Sequence, residues 1–411
     1  MKPVATSQRG EPRRILQVHN YYGSAAPSGE NAMVAAERSL LQSNGHEVNV
    51  FARHSDSIRD RGLRGAVHGG LTTAWNPATI GGIRSAIAAT NPDIVHVHNT
   101  FPLISNSVFS GARARPRVLT LHNYRLYCAA GIPIRDGNVC TICLDRKNPL
   151  PGLRYGCYRD SILATVPLAA GIALHRAINT WSRHVDAFIA LSGFQRALMV
   201  EAGLPEDRVH VKPNFCQPTF QPKAWEERHP QVLFVGRLSD EKGIQTLVRA
   251  WRRWGSEAPE LLIIGSGPLS RRLGEMAVGA NVRLTGQLSR EETLAAIAET
   301  RLLVLPSEAY ETFGLTVCEA MAAGTPVAVS AIGPLPGLVQ GGRAGLVFRA
   351  ADSPSLLSTI RTAWGDPARL KELGWAGRRR YEKNYSPEAN YSRLLEIYRA
   401  AILNHRAASK R

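Results

Sequence analysis

Residues Leu302–Val329, LLVLPSEAYETFGLTVCEAMAAGTPVAV, hold the reading of the fold. Leu302–Leu305 is an unbroken apolar run, the pattern of a strand buried on both faces. A polar loop with Ser307, Glu308 and Glu311 follows, and then a helical stretch over Phe313–Ala323 with many small apolar residues. Gly324 and Pro326 end it, and Val327–Val329 is a second apolar run. Strand, helix and strand in this order imply a parallel βαβ unit.

The same alternation extends outward. Val232–Val235, Leu261–Ile264 and Val282–Leu284 read as further buried strands, with helices at Gly243–Arg253, Leu269–Ala277 and Arg290–Thr300. The first half repeats the logic: strands at Ile15–Val18, Val48–Phe51, Ile94–Val97, Val118–Leu121 and Ala187–Leu191, and a helix at Glu30–Gln42 closed by Asn44-Gly45. Pro213–Pro230 holds four prolines among mixed residues and reads as a linker. With 411 residues, two domains are expected. The expected fold class is α/β. Residues 1–14 would be a disordered N-terminus and 15–212 a first Rossmann-like domain. Residues 231–386 would be a second, 387–404 a C-terminal helix crossing back to the first, and 405–411 a basic tail.

Lys and Arg exceed Asp and Glu by 17, with +11 in residues 1–225 and +6 in 226–411. Such a field favours an anionic partner. Nucleic acid fits poorly, since no zinc finger, RRM-type aromatic motif or basic helix is visible. An anionic membrane surface fits better. Residues 1–14 do not resemble a signal peptide. The apolar run Ile162–Leu174 is too short to span a bilayer. It reads as a buried helix or, flanked by Arg154, Arg159, Arg176 and Arg183, as an interfacial one. A cytoplasmic location, with peripheral membrane contact, is the expectation.

Two segments carry anion chemistry. Val235–Gly243, VGRLSDEKG, puts Arg237 and Lys242 between a strand and a helix, where α/β sheets place ligands. In the second segment a helix start near Phe313 offers N–H groups and a positive dipole end to an anion. Glu311 precedes that helix and Glu319 lies nearly two turns into it, both suited to accept from sugar or ribose hydroxyls. The chain has no Asp-x-Asp pair, so fixed cations and a helix start, rather than a divalent metal, would neutralise a diphosphate.

Gly236–Gly243, Ile264–Leu269 (IGSGPL) and Pro306–Val329, with the Glu-x7-Glu spacing of Glu311 and Glu319, closely resemble the family 4 glycosyltransferases. These are retaining enzymes of the GT-B fold, in which two Rossmann-like domains face each other across a cleft. The resemblance runs from about Arg14 to about Arg399. It implies a nucleotide-diphosphate sugar as donor and a glycan or lipid-linked acceptor. Arg237 and Lys242 would bind the diphosphate, Glu311 the transferred hexose and Glu319 the ribose. Amides of Gly314, Leu315 and Thr316 would cradle phosphate, and Gly265 would belong to the donor-binding set. Gln287 and Leu288 would lie near the base. His122, at the end of a strand, would contact the sugar near the reacting centre, and Gly29 would sit in the first domain's glycine loop. In that loop Ser28 stands where the family has a second glycine. The donor phosphate oxygen would act as base toward the acceptor, and domain closure would keep water out. His96 and His98, at another strand end, read at least as well as core residues.

Cys128, Cys140, Cys143 and Cys157 cluster in a loop-rich insertion over residues 128–157. One C-x2-C pair with two outlying cysteines is compatible with a structural zinc site of four thiolates or with reduced thiols packing a loop. Two other functions remain open at this point: a nucleotide-sugar epimerase or hydrolase on the same scaffold, and a non-catalytic carbohydrate- or lipid-binding module. The intact set Arg237, Lys242, Glu311 and Glu319 favours transfer.

Overall fold

The computed structural model describes residues 12–23, 29–217 and 221–410. Residues 1–11, 218–220 and 411, and Ser28 with its neighbours 24–27, lie outside that description. The chain divides into two compact units. The first comprises Met1–Pro133, Thr141–Lys212 and Asn390–Arg411, and the second Ile134–Cys140 and Pro213–Ala389.

In chain order the strands are β1 (Arg14–Tyr21), β2 (Glu47–His54), β3 (Ile94–Asn99), β4 (Arg117–Thr120), β5 (Ile134–Arg135), β6 (Asn138–Val139), β7 (Ala187–Ala190), β8 (Val209–Val211), β9 (His229–Val235), β10 (Glu260–Ile264), β11 (Val282–Gly286), β12 (Thr300–Leu305), β13 (Val327–Ser330) and β14 (Leu346–Phe348). The first unit holds the sheet β2-β1-β3-β4-β7-β8, and the second holds β11-β10-β9-β12-β13-β14. Every pairing within these two sheets is parallel. The expected α/β class with parallel sheets is therefore observed.

Strand order fixes where each unit can hold a ligand. In the second sheet the order runs outward in both directions from β9 and β12, so the crossovers leave opposite faces there. That is the switch point at which doubly wound sheets open a crevice beyond their strand C-termini. In the first sheet the corresponding place lies between β1 and β3.

The second unit's core is built from β9, β10 and β12 with the helix Ile244–Trp254, which buries Leu247, Val248 and Trp251 against Val232, Phe234, Ile263 and Val304. In the first unit the helix Pro387–Ser409 lays Leu394, Leu395, Ile397, Tyr398 and Ala401 against Ile15, Ile94, Val118 and Ile189. That apolar stripe repeats at helical spacing, which is why a mostly polar segment packs as a helix.

Several boundaries differ from the sequence pattern. The helix expected from Phe313 begins at Leu315. Gly314 has φ 101°, outside the helical region, and Phe313 is buried ahead of it. The three-residue edge strands β8 and β14 were too short to register as a period. The apolar run Ile162–Leu174 lies in the helix Ile162–Ala177, capped by Ser161, which accepts from Ala164 N–H. That helix is only half buried. Leu168, Ala169 and Ile172 face the core, whereas Ile162, Leu163 and Val166 are exposed.

Backbone contact between loops constrains the second unit most tightly. At Gly265 φ is 143°, and a Cβ there would strike the Gly236 carbonyl oxygen. Replacing Gly265 with Ala is expected to destabilise the protein by more than about 1 kcal/mol. Gly274→Ala, in the helix Ser270–Ala277 with open space around the added methyl, is expected to be neutral or stabilising. Denaturant titration of the two variants checks the contrast.

Candidate active site

The second unit gathers its polar residues on the loops after β9, β10, β11 and β12. Backbone bonds lock these loops together: Gly236 N–H donates to Ile264 C=O at 3.1 Å, Leu238 N–H to Ser266 C=O at 3.0 Å and Glu308 N–H to Glu241 C=O at 2.9 Å. Gly243 has φ 64°, and a Cβ on it would run into the Pro306 carbonyl oxygen. The β9 and β12 loops therefore meet backbone to backbone across the switch point.

That approach brings Lys242 onto Glu311. Lys242 Nζ lies 2.6 Å from Glu311 Oε1, and Ser307 Oγ donates to the same oxygen at 2.7 Å. Burial alone would raise the Glu311 carboxyl. The Lys242 ammonium and the Ser307 hydroxyl outweigh it and hold the group below the ordinary carboxylate value. Glu311 is thus an ionised acceptor with one oxygen already committed. Sequence reasoning gave Lys242 and Glu311 separate duties and passed over both their pairing and Ser307. Arg237 sits exposed in the same β9 loop.

The helix Leu315–Ala322 starts beside this pair. Its first intrahelical bonds are Val317 N–H and Cys318 N–H to Gly314 C=O, and Gly314 provides no side-chain cap. The N–H groups of Leu315 and Thr316 are left for solvent or an anion. Glu319, farther along, is buried, and burial raises its carboxyl above the ordinary value. The exposed Arg290 opposes this from 3.0 Å, Nη2 to Oε1. Arg290 opens the helix Arg290–Glu299, directly after Gln287 and Leu288, so the ends of two helices share this corner. Arg290 is a residue the motif reading missed. Its signal was only a basic residue after a strand, common on any surface. Gly265 is buried at the β10 terminus, and Gln287 is exposed after β11.

In the first unit His122 follows β4 and lines a recess with His98, Asn99, Asn123 and Arg125. Its Nε2 is 3.1 Å from His98 Nδ1. Behind them lies a buried charge network: His98 Nε2 is 3.4 Å and His96 Nδ1 3.1 Å from Glu37 Oε1, and Lys212 Nζ donates to Glu37 Oε2 at 2.9 Å. Burial acts to raise the Glu37 carboxyl, but Lys212 and the two imidazoles bring it well below its ordinary value, so it is ionised. Burial, then His19, Lys212 and His96, push His122 down to about 3. His122 is therefore a neutral imidazole. Between His98 Nδ1 and His122 Nε2 one nitrogen carries the hydrogen and the other accepts it.

Among the described residues, Glu37, His96 and His98 form the one group whose possible metal-ligand atoms fall within 4.8 Å of one another. The Lys212 ammonium already neutralises that carboxylate, and Tyr398 OH and Thr120 Oγ1 sit 2.9 and 2.8 Å from the His96 ring nitrogens. Both favour a hydrogen-bonded core over a cation site. No three of the sulfurs of Cys128, Cys140, Cys143 and Cys157 come within 4.8 Å of one another in this structure. The Cys128 thiol donates to Ile132 C=O at 3.7 Å, and burial raises it to about 11. Cys143 packs over Gly152.

Glu37, Lys212 and Glu30 were absent from the sequence reading. Glu37 was the detectable one, because it shares the helical stripe of Met33, Val34 and Leu41 and a carboxylate there needs a partner. Gly29 begins the helix Gly29–Ser43, with open space where a Cβ would stand, so nothing local demands glycine. Glu30 beside it is pushed up to about 8 by burial, against the pull of Arg125, Asn99, Tyr22 and Asn123, three of which line the His122 recess or belong to it.

Residues 32–220 match the family model described as Glycosyltransferase Family 4, and residues 229–366 match Glycosyl transferases group 1. Among characterised relatives, D-inositol 3-phosphate glycosyltransferase 1 of Catenulispora acidiphila is 26% identical over 97% of this chain and 98% of its own length. The sulfoquinovosyl transferase SQD2 of Arabidopsis thaliana is 33% identical over 81% of this chain and 61% of its own length. The fold is similar to sucrose-phosphate synthase of Thermosynechococcus elongatus, with TM-score 0.68 and 21% identity over 94% of this chain and 98% of that one. It is also similar to HepE of Anabaena, solved with UDP and glucose, with TM-score 0.63 and 16% identity over 93% and 98%.

The raised Glu30 carboxyl sets a pH dependence. Folding favours its protonated form, so its contribution to stability is full below the ordinary value of 4.5 and is lost as pH rises to about 8. Glu30→Gln is expected to abolish this decline, leaving the variant more stable than the parent chain at pH 9 relative to pH 5. Denaturant unfolding at the two pH values measures it.

Proposed function

Because the chain belongs to the glycosyltransferases, matching their family models in both halves, we propose that it is a retaining hexosyltransferase. It moves a hexosyl unit from a nucleotide-diphosphate sugar to a glycan or lipid-linked acceptor in the synthesis of cell-surface polysaccharide. The observation that carries the proposal is the Lys242–Glu311 pair at the switch point of the second sheet, beside the uncapped helix start at Gly314.

A departing diphosphate concentrates negative charge, and fixed donors aimed at it lower the barrier. Arg237, Lys242 and the N–H groups of Leu315 and Thr316 are such donors. In this reading they replace a divalent metal. Lys242 binds the diphosphate while keeping Glu311 ionised, and Glu311 accepts from hexose hydroxyls. Glu319 takes the ribose hydroxyls, for which a buried carboxylate with one exposed arginine partner is suited. Gly265, Gln287 and Leu288 line the nucleoside end. The neutral His122 offers a hydrogen bond to the sugar without adding charge beside the reacting carbon, and Gly29 stands by the acceptor. No protein nucleophile is assigned, since the leaving phosphate oxygen takes the acceptor proton. That HepE is solved with UDP and with UDP-glucose supports a donor of this chemistry.

Lys242→Ala is expected to cut turnover by roughly two orders of magnitude or more, the usual loss for such a stabiliser. Near-parental turnover with UDP-, GDP- and ADP-sugars would reject the donor assignment. Glu319→Ala should weaken nucleotide binding, read as a smaller thermal shift with whichever of UDP, GDP or ADP stabilises the parent chain. Turnover that survives EDTA is expected, and its loss would overturn metal independence.

A further inference from the structure

The first unit carries an apolar surface that the transfer chemistry leaves unused. Helices Gly62–Ala74 and Ile162–Ala177 pack side by side in parallel, with Gly70 against Pro167 and Gly171 against Ala74. The glycines bring the backbones close, and the large side chains at the same level point away from the core. Leu163 is 84% exposed, Leu71 76%, Ile162 57% and Val67 56%, and Val166 is exposed as well. Most large apolar residues on a soluble surface are scattered singly. These five lie on one helix pair, which marks an interaction site.

We infer that this face docks on the surface of an anionic lipid bilayer. Charge complementarity selects the occupant. Arg61 just ahead of the first helix, Arg64 on it, and Arg154 and Arg159 just ahead of the second are exposed around the leucines, and among the described residues the exposed carboxylates beside them are Asp60 and Asp160. Gly156 packs against the Ile162 backbone, which holds Arg154 and Tyr155 next to the apolar residues. Aliphatic side chains ringed by arginines, with an exposed tyrosine at the edge, match an acyl–headgroup boundary. A second copy fits worse, because two-fold pairing would set these arginines against their own equivalents. Nucleic acid has no use for exposed leucines. Among the described residues no helix is long and apolar enough to cross a membrane, so the contact is interfacial.

The same two helices line the His122 recess from their inner sides, through Thr73, Leu168, Gly171 and Ile172. Docking would therefore bring the headgroup layer to the helix pair that walls the recess, which suits a lipid-linked acceptor. That last step rests on the transferase reading; the docking does not.

The test is sedimentation of the full chain with vesicles of phosphatidylcholine, alone or with phosphatidylglycerol, at physiological salt and without nucleotide. The expected result is at least about tenfold tighter partition onto the phosphatidylglycerol vesicles. A Leu71→Ser/Leu163→Ser variant should lose about tenfold or more of that binding, and Arg64→Gln/Arg154→Gln should lose the anionic preference. Melting temperature and the nucleotide-induced thermal shift should stay at parental values in both. Equal sedimentation of the parent chain and the leucine variant would overturn the inference. So would a leucine variant that turns a dimer into a monomer while vesicle binding persists. Since no donor is present, a failed transferase assignment leaves this measurement readable, and the reverse holds as well.

Discussion

Carbonyl oxygens of Pro306 and Gly236 stand where side chains at positions 243 and 265 would have to be. Everything proposed for the second unit follows from that crowding. Only glycine lets the loop after β9 lie against the loops after β10 and β12, and only that approach sets the Lys242 ammonium 2.6 Å from the Glu311 carboxylate. The positive φ at Gly314 belongs to the same design, because it turns the chain into a helix whose first N–H groups carry no side-chain cap. Backbone geometry therefore positions the cations and dipoles, and the side chains supply charge.

The two units treat charge differently. In the second, the ion pair is partly open to solvent, where an incoming anion can share the lysine. In the first, Glu37 and Lys212 neutralise each other in the interior, and the imidazoles between them and the recess are held neutral. A buried pair of this kind adds little net stability, but removing one member leaves an uncompensated charge. Its reach is electrostatic: an ionised carboxylate stands 3.4 Å from His98, and His98 stands 3.1 Å from His122 at the recess.

The sheet strands were legible because parallel strands buried on both faces read as unbroken apolar runs, and the helices between them announced the crossovers. β8 and β14, at three residues each, fell below what periodicity can report. Motif spacing located Arg237, Lys242, Glu311 and Glu319, since a helix start and a strand terminus are local features. It could not locate Ser307, Arg290 or Lys212, whose roles come from contacts made across the fold. The spacing of the clustered cysteines left zinc and reduced thiols both open, and in the fold the Cys128 thiol donates to Ile132 C=O with the Cys143 thiol near enough to act on it. The run Ile162–Leu174 left a buried and an interfacial helix both open, because hydrophobicity alone does not say which side of a helix finds a core.

That helix also shows how one element can serve two solvents. Pro167 and Gly171 allow close packing on the helix Gly62–Ala74, so the pair behaves as a single two-sided wall. Inner positions Leu168 and Ile172 spend their apolar surface on the protein, and outer positions Leu163 and Val166 do not. An unpartnered apolar face is a solubility liability, and the surrounding arginines limit it in water while favouring an anionic surface. A purely structural wall would gain nothing from leucines at positions 71 and 163. Their exposure among arginines that outnumber the neighbouring carboxylates is therefore better explained by a partner that offers hydrocarbon and phosphate together.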